Sequence, residues 1–196
     1  MKKIILIAFL SMVILSVALG SGSSVKATPK FAEFNSTLEI TYSIEADETT
    51  NIAYNVWIQG SNISIPLVNK TIIAMQDSGT INFNVSNYPA GKYKVFLSSL
   101  QPLTASESSF EITPHAEISV NKETIEMFVY GESDTSTITV KNLGNIPVFI
   151  DAALKNMKSE GSIIPTTFNL SVNSSQNILL AVKKPSENYE ASLSVN

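Results

Sequence analysis

Apolar residues at every second position constrain this chain more than any other feature. Side chains alternate between two faces along a strand but return to one face only every 3.6 residues along a helix. "LEITYSI" puts Leu38, Ile40, Tyr42 and Ile44 on one face, and "IAYNVWI" does the same with Ile52, Tyr54, Val56 and Ile58. "TINFNV" aligns Ile81, Phe83 and Val85, and "YKVFL" aligns Tyr93, Val95 and Leu97. The clusters "ADETTN", "QGSN", "QDSG" and "NYPAG" read as the turns between them. A second set follows "TPHA", Thr113 to Ala116: "TIEMFVY", "STITVKNLGN", "PVFIDAAL", "TTFNLSV", "NILLAV" and "ASLSV". No segment carries a helical stripe over about ten residues or more. Short strands at a spacing of roughly 8 to 12 residues predict an all-β chain of two tandem sandwiches joined near Pro114.

Ahead of the strands stands "MKKIILIAFLSMVILSVALGSGSSVKA", two lysines, then a sixteen-residue apolar run from Ile4 to Leu19, then small residues. This is the order of a secretory signal peptide, predicted over residues 1–27 with cleavage after Ala27; Gly20 offers the same small residues at −1 and −3. The run is shorter than the roughly 20 apolar residues a spanning helix needs, so no membrane anchor is expected once the signal is cut. The segment "SGSSVKATPKFAEF" then reads as a flexible tail leading to Leu38. Removing residues 1–27 takes three of the 13 lysines and none of the 17 acidic residues, leaving a formal charge of 10 − 17 = −7. An acidic chain without arginine lacks the electrostatic footprint of a nucleic-acid binder. It has no cysteine, so its folding rests on core burial alone even in a compartment that permits disulfides.

Two stretches resemble known domains. "YPAGKYKVFL", Tyr88 to Leu97, is similar to the strand pair closing many immunoglobulin-like domains of prokaryotic surface proteins, where a Pro-Ala-Gly turn leads into Tyr-x-Val. "STITVKNLGNIPVFIDAAL", Ser136 to Leu154, resembles the tandem apolar strands around Asn-x-Gly-Asn in cell-adhesion-related and sperm-protein-like immunoglobulin families. The resemblance implies two immunoglobulin-like β-sandwiches, residues 28–113 and 117–196, without the antibody-type disulfide. It implies a fold far more than an activity.

Chemistry-bearing constellations are sparse. The single histidine, His115, lies beside Pro114 and reads as an exposed joint residue rather than a general base, and one histidine without cysteine cannot complete a zinc site. Glu45, Asp47 and Glu48, with Glu132 and Asp134, are oxygen ligands calcium accepts, but their spacing matches no calcium loop and reads as solvated turns. No catalytic residue, metal or cofactor is expected. Trp57 falls out of phase with Tyr54, Val56 and Ile58, so it points outward or lies half-covered; an outward aromatic can stack on a sugar or anchor an interface.

Six Asn-x-Ser/Thr triplets stand out, at Asn35, Asn62, Asn69, Asn84, Asn169 and Asn173, against about 3 to 4 expected by chance in a chain of this composition. Asn84 and Asn169 fall out of phase with the apolar residues beside them, as a glycan requires. Short signal plus sequons points to an archaeal secreted protein. In plan the chain resembles the thread-type surface filaments of archaea, which implies a homopolymer linked by strand donation, with the N-terminal tail as donor. The expected protein is therefore a non-enzymatic, glycosylated structural or adhesive protein, secreted or at the cell surface, whose partner is itself or another surface protein. The alternative is an extracellular carbohydrate- or protein-binding module using Trp57.

Overall fold

The computed structural model describes residues 22–60, 62–122, 125, 127–187 and 190–195. Residues 1–21, which hold most of the expected signal peptide, lie outside the described residues. Within them the chain is all-β, and no helix is long and apolar enough to cross a membrane. It divides into two compact units, one running to Ser86 and resuming over Gly91–Thr113, the other formed by Asn87–Ala90 and Pro114 onward.

The first unit contains β1 (Gly22–Thr28), β2 (Phe31–Ala32), β3 (Thr37–Gln59), β4 (Ser64–Asn84), β5 (Gly91–Gln101) and β6 (Leu103–Ile112). Its sheet runs β1-β3-β5-β6-β2, with β4 also on β3. All pairings are antiparallel except β2 with β6. The first part of β3 pairs with β1 and the last part with β5, so one strand serves two sets of neighbours. The change falls at a register shift between Glu45 and Thr50, inside the acidic cluster expected to be a turn. That cluster is a bulge, which bends a strand without ending it. "QDSG" likewise lies within β4.

Even-numbered positions of β3 face inward from Leu38 to Ala46 before the bulge and from Ile52 to Ile58 after it, and Leu38, Ile40, Ile44, Ile52, Val56 and Ile58 are all fully buried. Val95, Leu97 and Ile112 join them from β5 and β6. Each such aliphatic contributes roughly 1.5–3 kcal/mol on burial. Tyr93 and Phe110, opposite each other across β5 and β6, stack at 5.3 Å.

The expected flexible tail is instead a strand. β1 pairs along its whole length with β3, its Ala27 is buried, the Ala27 N–H donates to Ser108 Oγ at 3.2 Å, and Ser23 and Thr104 share a hydroxyl hydrogen bond at 2.7 Å. The sheet thus curls until β1 meets β6. Serine, alanine and glycine give "GSSVKAT" little intrinsic strand signal, and the partner supplies the ladder. Cleavage after Ala27 would remove six of the seven residues of this strand, whereas cleavage after Gly20 would leave it whole.

The second unit contains β7 (Ile118–Val120), β8 (Ser133–Asn142), β9 (Val148–Lys155), β10 (Gly161–Ile164), β11 (Thr167–Leu170), β12 (Ser175–Lys183) and β13 (Ser192–Val195). Two antiparallel sheets form, β10-β12-β8-β7 and β11-β9-β13. Ile138, Val140, Ile163, Ile178 and Leu180 of the first meet Ile150, Ala152 and Leu170 of the second in one core. The expected strand "TIEMFVY" is not one among the described residues. Its alternation is real, since Ile125 and Met127 pack on the core while Phe128 is 67% and Tyr130 89% exposed, but it has no ladder. Apolar alternation reports which face is buried; pairing needs a neighbour as well. β11 ends at Leu170, so the half-buried Val172 lies in the turn that follows, where Ser174 N–H and Oγ–H both donate to Ser171 O.

Candidate functional site

Trp57 lies on β3 between buried Val56 and Ile58, on the opposite face. It is half-buried because its ring stacks on Phe96, its partner across β5, with centroids 5.3 Å apart and planes 18° apart. Lys94 Nζ lies 5.9 Å from the Phe96 centroid and pairs with Glu107 at 3.0 Å. The result is a flat aromatic platform with a charged pair at one end. Its chemistry suits stacking against a sugar ring or an apolar surface. The exposed ion pair itself contributes little, about 0–1 kcal/mol.

All six sequon asparagines are exposed. Asn35 and Asn173 sit in turns with positive φ, 63° and 58°, a conformation asparagine tolerates better than most residues. Asn62 lies in the loop from β3 to β4. Asn69 stands on β4 opposite Asn55, and Asn84 opposite Thr37. The Asn84 Oδ1 accepts from Ser86 N–H at 2.8 Å and from the Ser86 hydroxyl at 2.5 Å. Asn169 stands on β11 opposite Phe149 of β9.

The densest ionisable cluster joins residues that the sequence keeps apart. The buried Tyr54 hydroxyl donates to Asp77 Oδ2 at 2.6 Å, Lys70 Nζ lies 2.7 Å from the same oxygen, and the Tyr42 ring tilts against Tyr54 at 5.7 Å. Burial first, then the hydrogen bond to Asp77, pushes the Tyr54 phenol far above its ordinary value, so it stays protonated. Burial works upward on Asp77 as well, but hydrogen bonds from Lys70 and Tyr54 outweigh it and hold the carboxyl below the usual range. The hydrogen bond with Asp77 raises Lys70. Each shift favours the form already paired, so the cluster locks β3 to β4 rather than poising a proton for transfer.

Elsewhere, His115 Nε2 and Glu117 Oε2 are 3.2 Å apart. Asp47 and Glu48 border an open groove of about 420 Å³ at the β3 bulge, with Leu100 and Leu103 on its other side. Asp134 Oδ1 accepts from Thr135 N–H at 2.7 Å. Among the described residues no three His, Cys, Asp or Glu side chains are grouped to hold a metal ion.

The motif "NLGN" has a role that its sequence does not announce. Asn142, fully buried at the end of β8, donates through Nδ2 to Ile146 O at 2.8 Å, Leu170 O at 3.1 Å and Ser171 O at 3.3 Å, and accepts from Gly144 N–H at 2.9 Å. Asn145, also buried, accepts at Oδ1 from His115 N–H at 2.7 Å, and its backbone carbonyl takes Ala90 N–H at 3.0 Å. The two asparagines therefore satisfy backbone groups from four separate segments of the second unit. A side-chain amide is suited to this because it offers donor and acceptor together.

No protein-family model matches the sequence, and no curated protein matches it. Solved structures with a partial likeness include a Pseudomonas fluorescens alkylpurine DNA glycosylase bound to DNA, 12% identical over 47% of this chain and 30% of that one, with a TM-score of 0.38. A Listeria innocua β-glucosidase is 12% identical over 47% of this chain and 16% of that one, with a TM-score of 0.36. An Escherichia coli alpha-2-macroglobulin activated by porcine elastase is 13% identical over 93% of this chain and 21% of that one, with a TM-score of 0.38. The chain spans less than a third of each of these proteins, and likeness at such scores carries no argument about activity.

Proposed function

We propose that the chain is a secreted, N-glycosylated, non-enzymatic structural or adhesive protein of the cell surface, built from immunoglobulin-like sandwiches and associating with itself by strand addition. The parallel pairing of β2 with β6 beside antiparallel β5, and the two facing sheets of the second unit, support the immunoglobulin-like reading. Cleavage after Gly20 is the site that leaves β1 intact. The observation that carries self-association is the Ile125–Tyr130 segment. It already buries one face, exposes two aromatics on the other, and among the described residues has no ladder. Such a segment is a template for an extended strand from a second copy.

The test is sedimentation velocity on protein from its native source, compared with the Phe128→Ser/Tyr130→Ser double variant. Both positions are exposed, so the variant should fold normally. Concentration-dependent assembly that the double variant loses is the expected result. A monomer at high concentration, or assembly untouched by the double substitution, would sink this reading. A second reading, binding of carbohydrate or a surface protein, is favoured by the Trp57–Phe96 platform. It expects Trp57→Ala to abolish retention on a glycan array while the first unit, which carries Trp57 on β3, stays folded.

A further inference from the structure

We infer that the sugar on Asn169 packs against the ring of Phe149, so that glycan and aromatic together cover the outer face of the β11-β9-β13 sheet. The inference rests on the glycosylation reading above and adds the partner of the sugar.

β11 and β9 are antiparallel and in register, with Asn169 directly opposite Phe149 and the flanking pairs Phe168↔Ile150 and Leu170↔Val148. Ile150 and Leu170 are buried, and Phe168 and Val148 pack on the same core. Alternation therefore sends both Asn169 and Phe149 to the opposite, outer face. Directly opposed residues in such a ladder have Cβ atoms about 4.5–5.5 Å apart. A sugar linked to Asn169 Nδ2 thus starts about one side-chain length above the sheet, beside the phenyl ring. Phe149 is 62% exposed, a large apolar side chain open to solvent. The C–H face of a pyranose matches an aromatic face in size and polarity, and aromatic stacking adds to simple area burial.

The other sequons serve as internal controls. Asn69 faces Asn55 and Asn84 faces Thr37, both polar, while Asn35, Asn62 and Asn173 lie in turns or loops. Asn169 is thus the strand sequon of the six that faces a large apolar side chain. β11 is also the edge of its sheet, so a sugar there additionally hinders strand addition at that edge.

The experiment uses full-length protein from its native source, with glycopeptide mass spectrometry at Asn169 and thermal unfolding of the parent, Asn169→Gln, Phe149→Ala and the double variant. The occupied parent should melt about 3–8 °C above Asn169→Gln, and this difference should fall below about 2 °C when Phe149→Ala is also present. The first sugar's C–H protons should be shifted upfield by the phenyl ring current in the parent. That shift should vanish in Phe149→Ala and in Phe149→Leu, which keeps an apolar side chain at the position. An unmodified Asn169 overturns both the sugar at this position and its stacking. An occupied Asn169 with the same stabilisation in both backgrounds and no ring-current shift overturns the stacking alone.

Discussion

Replacing Asn142 with alanine should be among the most destabilising changes in the second unit, although it alters neither the apolar core nor any charge. The amide has four partners, and they do not suffer equally. Gly144 N–H keeps a second acceptor in Glu117 O at 3.2 Å, and Ser171 O keeps the two donors of Ser174 at 3.1 and 2.7 Å. Ile146 O and Leu170 O lose the donor that Asn142 supplies at 2.8 and 3.1 Å. A fully buried polar group left unpaired costs about 1–3 kcal/mol; Leu170 keeps its ladder position opposite Val148 and the Ile146 bond is part-buried, so the substitution should cost about 2–4 kcal/mol, below the simple sum for two such groups. That is a large part of the roughly 5–15 kcal/mol that holds a domain folded, and corresponds to a melting-temperature loss on the order of 10–20 °C.

Urea unfolding should give the free-energy change, and hydrogen exchange should show protection falling first around residues 142–146 and 168–171. Asn142→Asp sharpens the test. The aspartate keeps the acceptor for Gly144 but loses the donors, and burial would raise its folded pKa above the unfolded value of about 3.9. The folded state then binds the extra proton, so the variant should gain stability as pH falls from neutral toward about 4, opposite to the usual acid trend. An Asn142→Ala cost below about 0.5 kcal/mol, or an Asn142→Asp variant with no such pH dependence, would refute the reasoning.

The ion-paired cluster of the first unit predicts the opposite sign. Asp77 is held below its ordinary 3.8, so its contribution is present above that value and is lost as pH falls through the folded pKa. Asp77→Asn should cost about 1–3 kcal/mol at neutral pH and converge with the parent in strong acid, as followed by the fluorescence of Trp57, the single tryptophan. Gly144→Ala should be severe, because a Cβ there would meet the backbone of His115 and Glu117, neither of which can move cheaply. Gly131→Ala, with nothing within 4 Å, should change stability by less than about 0.5 kcal/mol; calorimetry on the pair gives the contrast.

What the sequence determined by itself is the set of faces. Alternation requires no partner to be read, so the inward phase of Leu38, Ile40, Val95, Leu97, Ile138 and Val140 and the outward phase of Trp57, Asn84 and Asn169 were all legible from residue order. Even the described residues of "TIEMFVY" have the phase their letters imply. Pairing is a different quantity, because a ladder is made with residues far away in the chain, and only the tertiary structure could decide it. Seven unremarkable residues became β1 because β3 lay beside them, whereas the described residues of "TIEMFVY" stayed without a ladder. "ADETTN" became a bulge because β4 continued past it. The same physics hid the polar sites. Tyr42, Tyr54, Lys70 and Asp77 meet because β3 and β4 run antiparallel in one register, and Asn142 has its role because the turn after β8 and the end of β11 bring backbone groups within its reach. Phe149 faces Asn169 for that reason too: twenty residues separate them in sequence, and the register of β9 against β11 places them side by side.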